Sequence, residues 1–167
     1  MSGPVRDDGF EEAFDELFPR AVRLAHRMLG DKAAAEDVAA EAMARAYARW
    51  PKVSVLSYRD GWVLKVATNL SIDRLRRRQP EVWPETAADF EDGVELRLAL
   101  NAALLTLAPR QREAVALRYL GGLCDREVAL ALGISLGSVK THIHRGLNGL
   151  RARLGAGLEE MTPLAVD

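Results

Sequence analysis

The chain is short of several things, and each shortage closes off a class of protein. One cysteine in 167 residues, Cys124, excludes an internal disulfide framework and fits a reducing compartment. Aromatic residues are only 6% of the chain, whereas alanine and leucine abound, a mixture that suits helices packed closely on one another. Strand-like alternation is confined to KVSVLSY at 52–58, too short to build a sheet alone. No apolar run approaches the roughly 20 residues needed to span a bilayer. The opening MSGPVRDDGFEEAF lacks the cationic start and apolar run of a signal peptide. No internal repeat or low-complexity tract stands out. The expectation is an all-α, soluble, cytoplasmic protein.

What is present begins with segregated charge. The net charge of −1 conceals +2 over residues 1–80, −6 over 81–95, +6 over 96–155 and −3 over 156–167. A ligand meets local potential rather than net charge, so a near-neutral chain is compatible with nucleic acid. The negative stretch, with two prolines and no helical period, reads as a linker at 80–94. Two small helical domains are expected on either side, at 10–79 and 95–155, followed by a short tail at 156–167.

The segment Cys124–Leu150 carries the most information. Glu127, Val128 and Ala131 fall on one face of a short helix, and Gly133 supplies a sharp break. Ser135 stands where an N-cap belongs. Val139, Ile143, Leu147, Leu150 and Leu154 then mark the buried stripe of a longer helix. Its opposite face offers Ser138, Lys140, Thr141, His144, Arg145 and Asn148, donors able to reach phosphates or base edges. This pattern predicts a helix-turn-helix with a polar, cationic reading face.

Three helices are expected in the first half. One runs from about Phe10 to Leu29, stopped by Gly30–Asp31, with Pro19 either kinking or dividing it. A second spans about Ala33–Trp50, with Val38, Ala42, Met43, Ala46, Tyr47 and Trp50 facing the core and Pro51 ending it. Asp37, Glu41 and Arg45 share an exposed face, and spacing alone favours a solvated row with ion pairs worth about 0.3–0.5 kcal/mol each. Ser57-Tyr58-Arg59-Asp60 has capping-box spacing and opens a third helix reaching about Arg78. Along it lie Arg59, Trp62, Lys65, Asn69, Arg74, Arg76 and Arg77. Cations interleaved with an aromatic suit melted nucleic acid, charges tracking phosphates while rings stack on unpaired bases; the plainer alternative is a core tryptophan with arginines favouring the helix dipole.

The order of these pieces resembles a family. Ala35-Glu36-Asp37-Val38-Ala39-Ala40-Glu41 and Ala67-Thr68-Asn69-Leu70-Ser71-Ile72-Asp73, with Arg76–Arg78, look like region two of the extracytoplasmic-function (ECF) sigma factors. Leu107-Ala108-Pro109-Arg110-Gln111-Arg112-Glu113, Arg126-Glu127-Val128-Ala129 and Gly137-Ser138-Val139-Lys140 look like region four. The resemblance covers roughly residues 10–155 and implies a non-enzymatic subunit, without cofactor or metal, that binds core RNA polymerase and promoter DNA and is restrained by an anti-sigma factor. By the same resemblance Asp37, Glu41 and Arg45 would dock on polymerase. Lys52, Ser54, Tyr58, Arg59, Trp62, Lys65, Asn69, Arg74, Arg76 and Arg77 would melt and read the minus-10 element, one unpaired base being held in the loop at 51–57. Ser135, Ser138, Lys140, Thr141, His142, His144 and Arg145 would enter the major groove of the minus-35 element.

Three positions depart from the family pattern. Ala40 replaces a usual glutamine on the polymerase row, Cys124 replaces a serine cap with Asp125 as an alternative cap, and His142 replaces a common arginine. Rival readings are a stand-alone DNA-binding regulator, which leaves Arg74–Arg78 without a role, and a sigma mimic that binds no DNA. A metal site is disfavoured because His142 and His144 lie about 200° apart around a helix.

Overall fold

A computed structural model describes residues 9–78 and 93–155. The tail at 156–167 and nearly all of the linker at 80–94 lie outside the described residues. All regular structure among the described residues is helical, and KVSVLSY forms a helical turn and loop instead of a strand. No described helix is long and apolar enough to cross a membrane.

The first helix, α1 (Phe10–Leu29), opens with Glu11 and Glu12 and closes with His26 and Arg27, charges that complement its dipole. It runs unbroken through Pro19, and Gly30 ends it at φ 66°, its N–H donating to His26 O. Asp31 then caps α2 (Lys32–Ala48), its carboxylate accepting the Ala34 N–H at 3.0 Å. That bond holds the Asp31 carboxyl below its ordinary value. Five buried alanines, Ala34, Ala35, Ala39, Ala42 and Ala46, let α2 lie close against α1. Pro51 does not end this helix; it stands at the start of a separate single turn, α3 (Trp50–Val53), where its missing N–H costs nothing. Tyr47 is not a core residue but 47% exposed, against Phe10, which also meets the buried Trp50.

The helix α4 (Arg59–Arg77) completes a three-helix unit with α1 and α2, burying Val63, Leu64, Ala67, Ile72 and Leu75. Its N-cap is Tyr58, with no side-chain cap. The expected capping box fails because Asp60 is drawn away by Arg20, forty residues earlier, at 2.9 Å. The second unit comprises α5 (Gly93–Thr106), α6 (Pro109–Val115), α7 (Asp125–Leu132) and α8 (Leu136–Leu154). A π-turn over Ala116–Leu120 extends α6, and the Gly121 N–H donates to Ala116 O across it. One apolar core runs through both units, from Leu17 and Leu24 to Leu117, Val128 and Val139.

Candidate nucleic-acid interface

The turn between α7 and α8 sets the first reading face. Gly133 sits at φ 65°, open to glycine without strain, and reverses the chain. Ser135 accepts the Ser138 N–H at 3.1 Å, and the two hydroxyls lie 2.8 Å apart. Cys124 occupies the N-cap of α7 within a capping box, in which the carboxylate of Glu127 accepts the Cys124 N–H at 2.7 Å. Asp125 is not the substitute cap, being paired with Arg118 at 3.1 Å. Val139, Ile143, Leu150 and Leu154 face the core and Leu147 is half-buried.

This burial pushes Lys140, Thr141, His144, Arg145 and Asn148 outward together. Lys140 and Arg145 are in no ion pair among the described residues, so their charge is available to phosphates. Thr141 donates its hydroxyl to Gly137 O at 3.0 Å. Arg151 donates to Asn148 Oδ1 at 3.3 Å, and the Asn148 amide nitrogen lies 3.2 Å from His144 Nε2. That chain holds the imidazole upright when Nε2 is unprotonated. His142 differs from its neighbours: it is half-buried, with Nδ1 sealed from solvent and without a partner.

On the second cationic face, on α4, three arginines do hold acidic partners. Arg59 meets Asp60 at 3.2 Å and Glu16 at 3.5 Å, Arg74 meets Asp37 at 3.8 Å, and Arg76 meets Asp73 at 3.8 Å. Tyr58, Trp62, Lys65 and Asn69 are half-buried, whereas Arg77 is exposed. Lys52 lies exposed on α3 and Ser54 half-buried in the following loop, beside Val55 at 79% exposure. The minus-10 candidates are thus distributed along α3, the loop and α4, with Arg74 turned toward α2.

Asp37, Glu41 and Arg45 are brought together on the outer face of α2, with Glu41 and Arg45 paired at 2.9 Å. Ala40, Ala44 and Ala48 are exposed on the same face, giving it a low profile onto which another helix can lie closely. Asp37, with its side chain 71% exposed, links this row to Arg74 of α4.

Three polar elements escaped sequence reasoning. The first is the cluster of Glu16, Arg20, Arg59 and Asp60 between α1 and α4. The second is Arg112, only 5% exposed, which donates to Leu107 O at 3.0 Å. Burial, and next the nearby Arg76 guanidinium, pull the Arg112 guanidinium below its ordinary value, with Glu113 opposing. The third is Asn101, buried at 5% exposure and donating to Met28 O at 2.6 Å. Its one sequence signal was being the lone amide in the otherwise apolar run LALNAALL.

Comparison with known proteins shows what the two halves of the chain are similar to. The model of sigma-70 region 2 matches residues 13–81, and that of sigma-70 region 4 matches residues 97–149. The ECF RNA polymerase sigma factor SigW of Bacillus subtilis is 32% identical, the match covering 88% of this chain and 89% of SigW. RNA polymerase sigma-E factor of Streptomyces coelicolor is 33% identical over 88% of this chain and 86% of its own. Among solved structures, the sigma factor RpoE in complex with the anti-sigma factor NepR from Bartonella quintana superposes with a TM-score of 0.59 at 22% identity. That superposition covers 90% of this chain and 99% of RpoE, and shows a common fold.

Proposed function

Because the chain belongs to the ECF RNA polymerase sigma factors, which direct core polymerase to promoters, we propose that it divides this work among three faces. The α8 face formed by Lys140, Thr141, His144 and Arg145, with Ser138 at its start, reads duplex DNA in the major groove. The strip from Lys52 and Ser54 through Tyr58, Arg59, Trp62, Lys65 and Asn69 to Arg74, Arg76 and Arg77 holds the melted minus-10 element. The α2 row of Asp37, Glu41 and Arg45 docks on polymerase. The observation that carries the assignment is the unpaired state of Lys140 and Arg145 among the described residues, on a face whose opposite side is core.

Duplex reading follows from geometry: a helix of α8's length fits a major groove, cations find phosphates, and amides and hydroxyls find base edges. His142, half-buried with one ring nitrogen enclosed, supports α8 from the edge of this face more than it reads bases. Melting demands something else. Unstacking a base costs a few kcal/mol, and an aromatic platform with flanking cations recovers it. Trp62 between Arg59 and Lys65 supplies both. The chain acts by binding, with no covalent step assigned to any side chain, and it works in the cytoplasm where polymerase is. A protein inhibitor of the anti-sigma type completes the proposal, since RpoE of Bartonella quintana is solved bound to one.

Run-off transcription with core polymerase on genomic fragments tests the reading. The expected result is initiation at a discrete set of start sites absent with core alone. Start sites indistinguishable from those of core polymerase would overturn it.

A further inference from the structure

Away from the DNA and polymerase faces, a groove of about 440 Å³ lies between the last turn of α1, helix α5 and the inner side of α8. Leu104, Val115 and Leu150 line it as buried residues, and Leu96, Leu100 and Leu147 line it half-buried. Its rim is cationic. Arg27, Arg97 and Arg151 all border it, and none is in an ion pair among the described residues. Arg27 and Arg151 each donate to a neutral acceptor, Leu120 O at 2.9 Å and Asn148 Oδ1 at 3.3 Å, which leaves their charge unmatched. The Arg97 Nε is sealed from solvent without a hydrogen-bond partner among the described residues. No acidic side chain is among the described residues that line the groove. Aliphatic surface framed by unmatched guanidinium groups calls for an occupant that carries both apolar side chains and carboxylates.

The sequence carries such a segment next to the groove. In residues 156–167, Leu158, Met161 and Leu164 recur at every third position, and Glu159, Glu160 and Asp167 stand without a basic residue among them. A spacing of three suits one side of a polyproline-type stretch, which Pro163 favours. Gly155, at φ 73°, ends α8 with its N–H donating to Arg151 O, so the chain leaves the helix beside a residue of the rim. From Gly155 back to Leu147, α8 runs about 12 Å. The residues from Gly155 on to Met161 span up to about 20 Å when extended. Met161 is therefore within reach of the aliphatic lining. So short a tether raises the local concentration of the segment into the millimolar range, and weak contacts suffice to hold it.

We propose that residues 156–167 dock in this groove as a built-in cover, with Leu158, Met161 and Leu164 against its aliphatic lining and Glu159 and Glu160 toward its arginines. Any partner that lays an apolar segment there must first displace the tail. The linker at 80–94 is also acidic, but it carries two prolines and no aliphatic residue at every third position, so the tail is the better match. Docking of the tail does not depend on which face of the chain reads DNA.

A nitroxide on the tail of the full chain tests this, attached at Met161→Cys in a Cys124→Ser background and read through the amide resonances of isotope-labelled protein. Serine is a good N-cap, so the background change keeps the start of α7, and Met161 lies beyond the last helix. The amides of Leu96, Leu100 and Leu104 on α5 should lose most of their intensity, while those of Lys140, Thr141 and Arg145 on the outer side of α8 keep theirs. Adding Glu159→Lys and Glu160→Lys should restore the α5 signals, because the reversed charges are repelled by the rim. Undiminished α5 signals, equal losses on α5 and on the outer side of α8, or losses that survive the charge reversal would each overturn the proposal. Mixing labelled chains that lack the nitroxide with unlabelled chains that carry it separates the remaining occupant. No loss on α5 is expected in that mixture; a loss there would make the occupant a second copy and overturn the proposal as well.

Discussion

The two cationic helices α4 and α8 are equal in length and opposite in preparation. On α8, Lys140 and Arg145 stand exposed without ion pairs among the described residues. On α4, Arg59, Arg74 and Arg76 each hold an acidic partner, and Trp62 is half-buried. The contrast fits the division proposed above between a duplex and a melted strand. Duplex DNA presents its phosphates and groove edges ready-made, so a helix can meet it with charges already free. A melted strand exists only after work is done on the duplex, and a helix with uncompensated charge there would attract any duplex indiscriminately. Pairing Arg59, Arg74 and Arg76 with acids would reserve those three for a ligand that can displace the acids, whereas Lys65 and Arg77 of the same helix are in no ion pair among the described residues.

The strongest way to break this comparison is Trp62→Ala. If the ring is the stacking platform, its loss should weaken binding of forked minus-10 DNA by the polymerase complex by about 1–3 kcal/mol. Binding to minus-35 duplex should stay within twofold, as fluorescence anisotropy on the two probes will show. Equal losses on both probes would mean that Trp62 serves the fold alone.

Next in size is the paired change Lys140→Ala with Arg145→Ala. Each removed phosphate contact should flatten the salt dependence of duplex binding by about one unit of slope. The loss should be uniform across minus-35 duplexes of different sequence, and no change is expected on fork probes that lack the upstream element. A titration of affinity against salt concentration reads this directly.

The third change sharpens the contrast instead of abolishing it. Asp60→Asn removes the carboxylate that holds Arg20 and Arg59 at 2.9 and 3.2 Å. These groups are partly exposed, so the stability cost should stay within about 1 kcal/mol. Arg59 is then freer, and the polymerase complex should bind non-promoter duplex more tightly with a steeper salt slope. An unchanged slope would contradict the idea that acids hold the α4 cations in reserve.

A smaller effect concerns α2, which carries the row proposed to dock on polymerase. Asp31→Ala should lower the melting temperature by a few degrees through loss of the N-cap. The pH dependence has a definite sign. The Ala34 N–H depresses the folded-state pKa of Asp31, so its contribution is complete above the unfolded value and fades as pH falls through the lower folded one. Wild type and variant should therefore converge in stability toward strong acid and stay apart at neutral pH, as melts across pH will show.

Much of this arrangement was legible in the chain because the signals are local. Gly30 and Asp31 announce the end of one helix and the cap of the next, and Gly133 and Ser135 do the same for the helix-turn-helix. The i, i+4 spacing of Val139 and Ile143 named the buried side of α8, and so its reading side. What could not be read depends on partners distant in sequence. The Ser57–Asp60 spacing is that of a capping box, yet Asp60 belongs to Arg20. Tyr47 looks like a core aromatic, but small alanines bring α1 and α2 so close that the larger ring stays at the rim. Pro51 stops one helix only in the sense that it begins another. The contact between the two units is the extreme case: Asn101 of α5 and Met28 of α1, or Gly61 of α4 and Ala131 of α7, meet only after both units have folded, and neither residue advertises its partner.

Site-specific cross-linking in the initiating complex tests the division of labour most directly. A photoreactive group at Arg145 should label duplex at the minus-35 element, and one at Arg77 should label the minus-10 region, the two sites lying about 25 base pairs apart. Both probes labelling the same element, or the two elements in reversed order, would contradict the account.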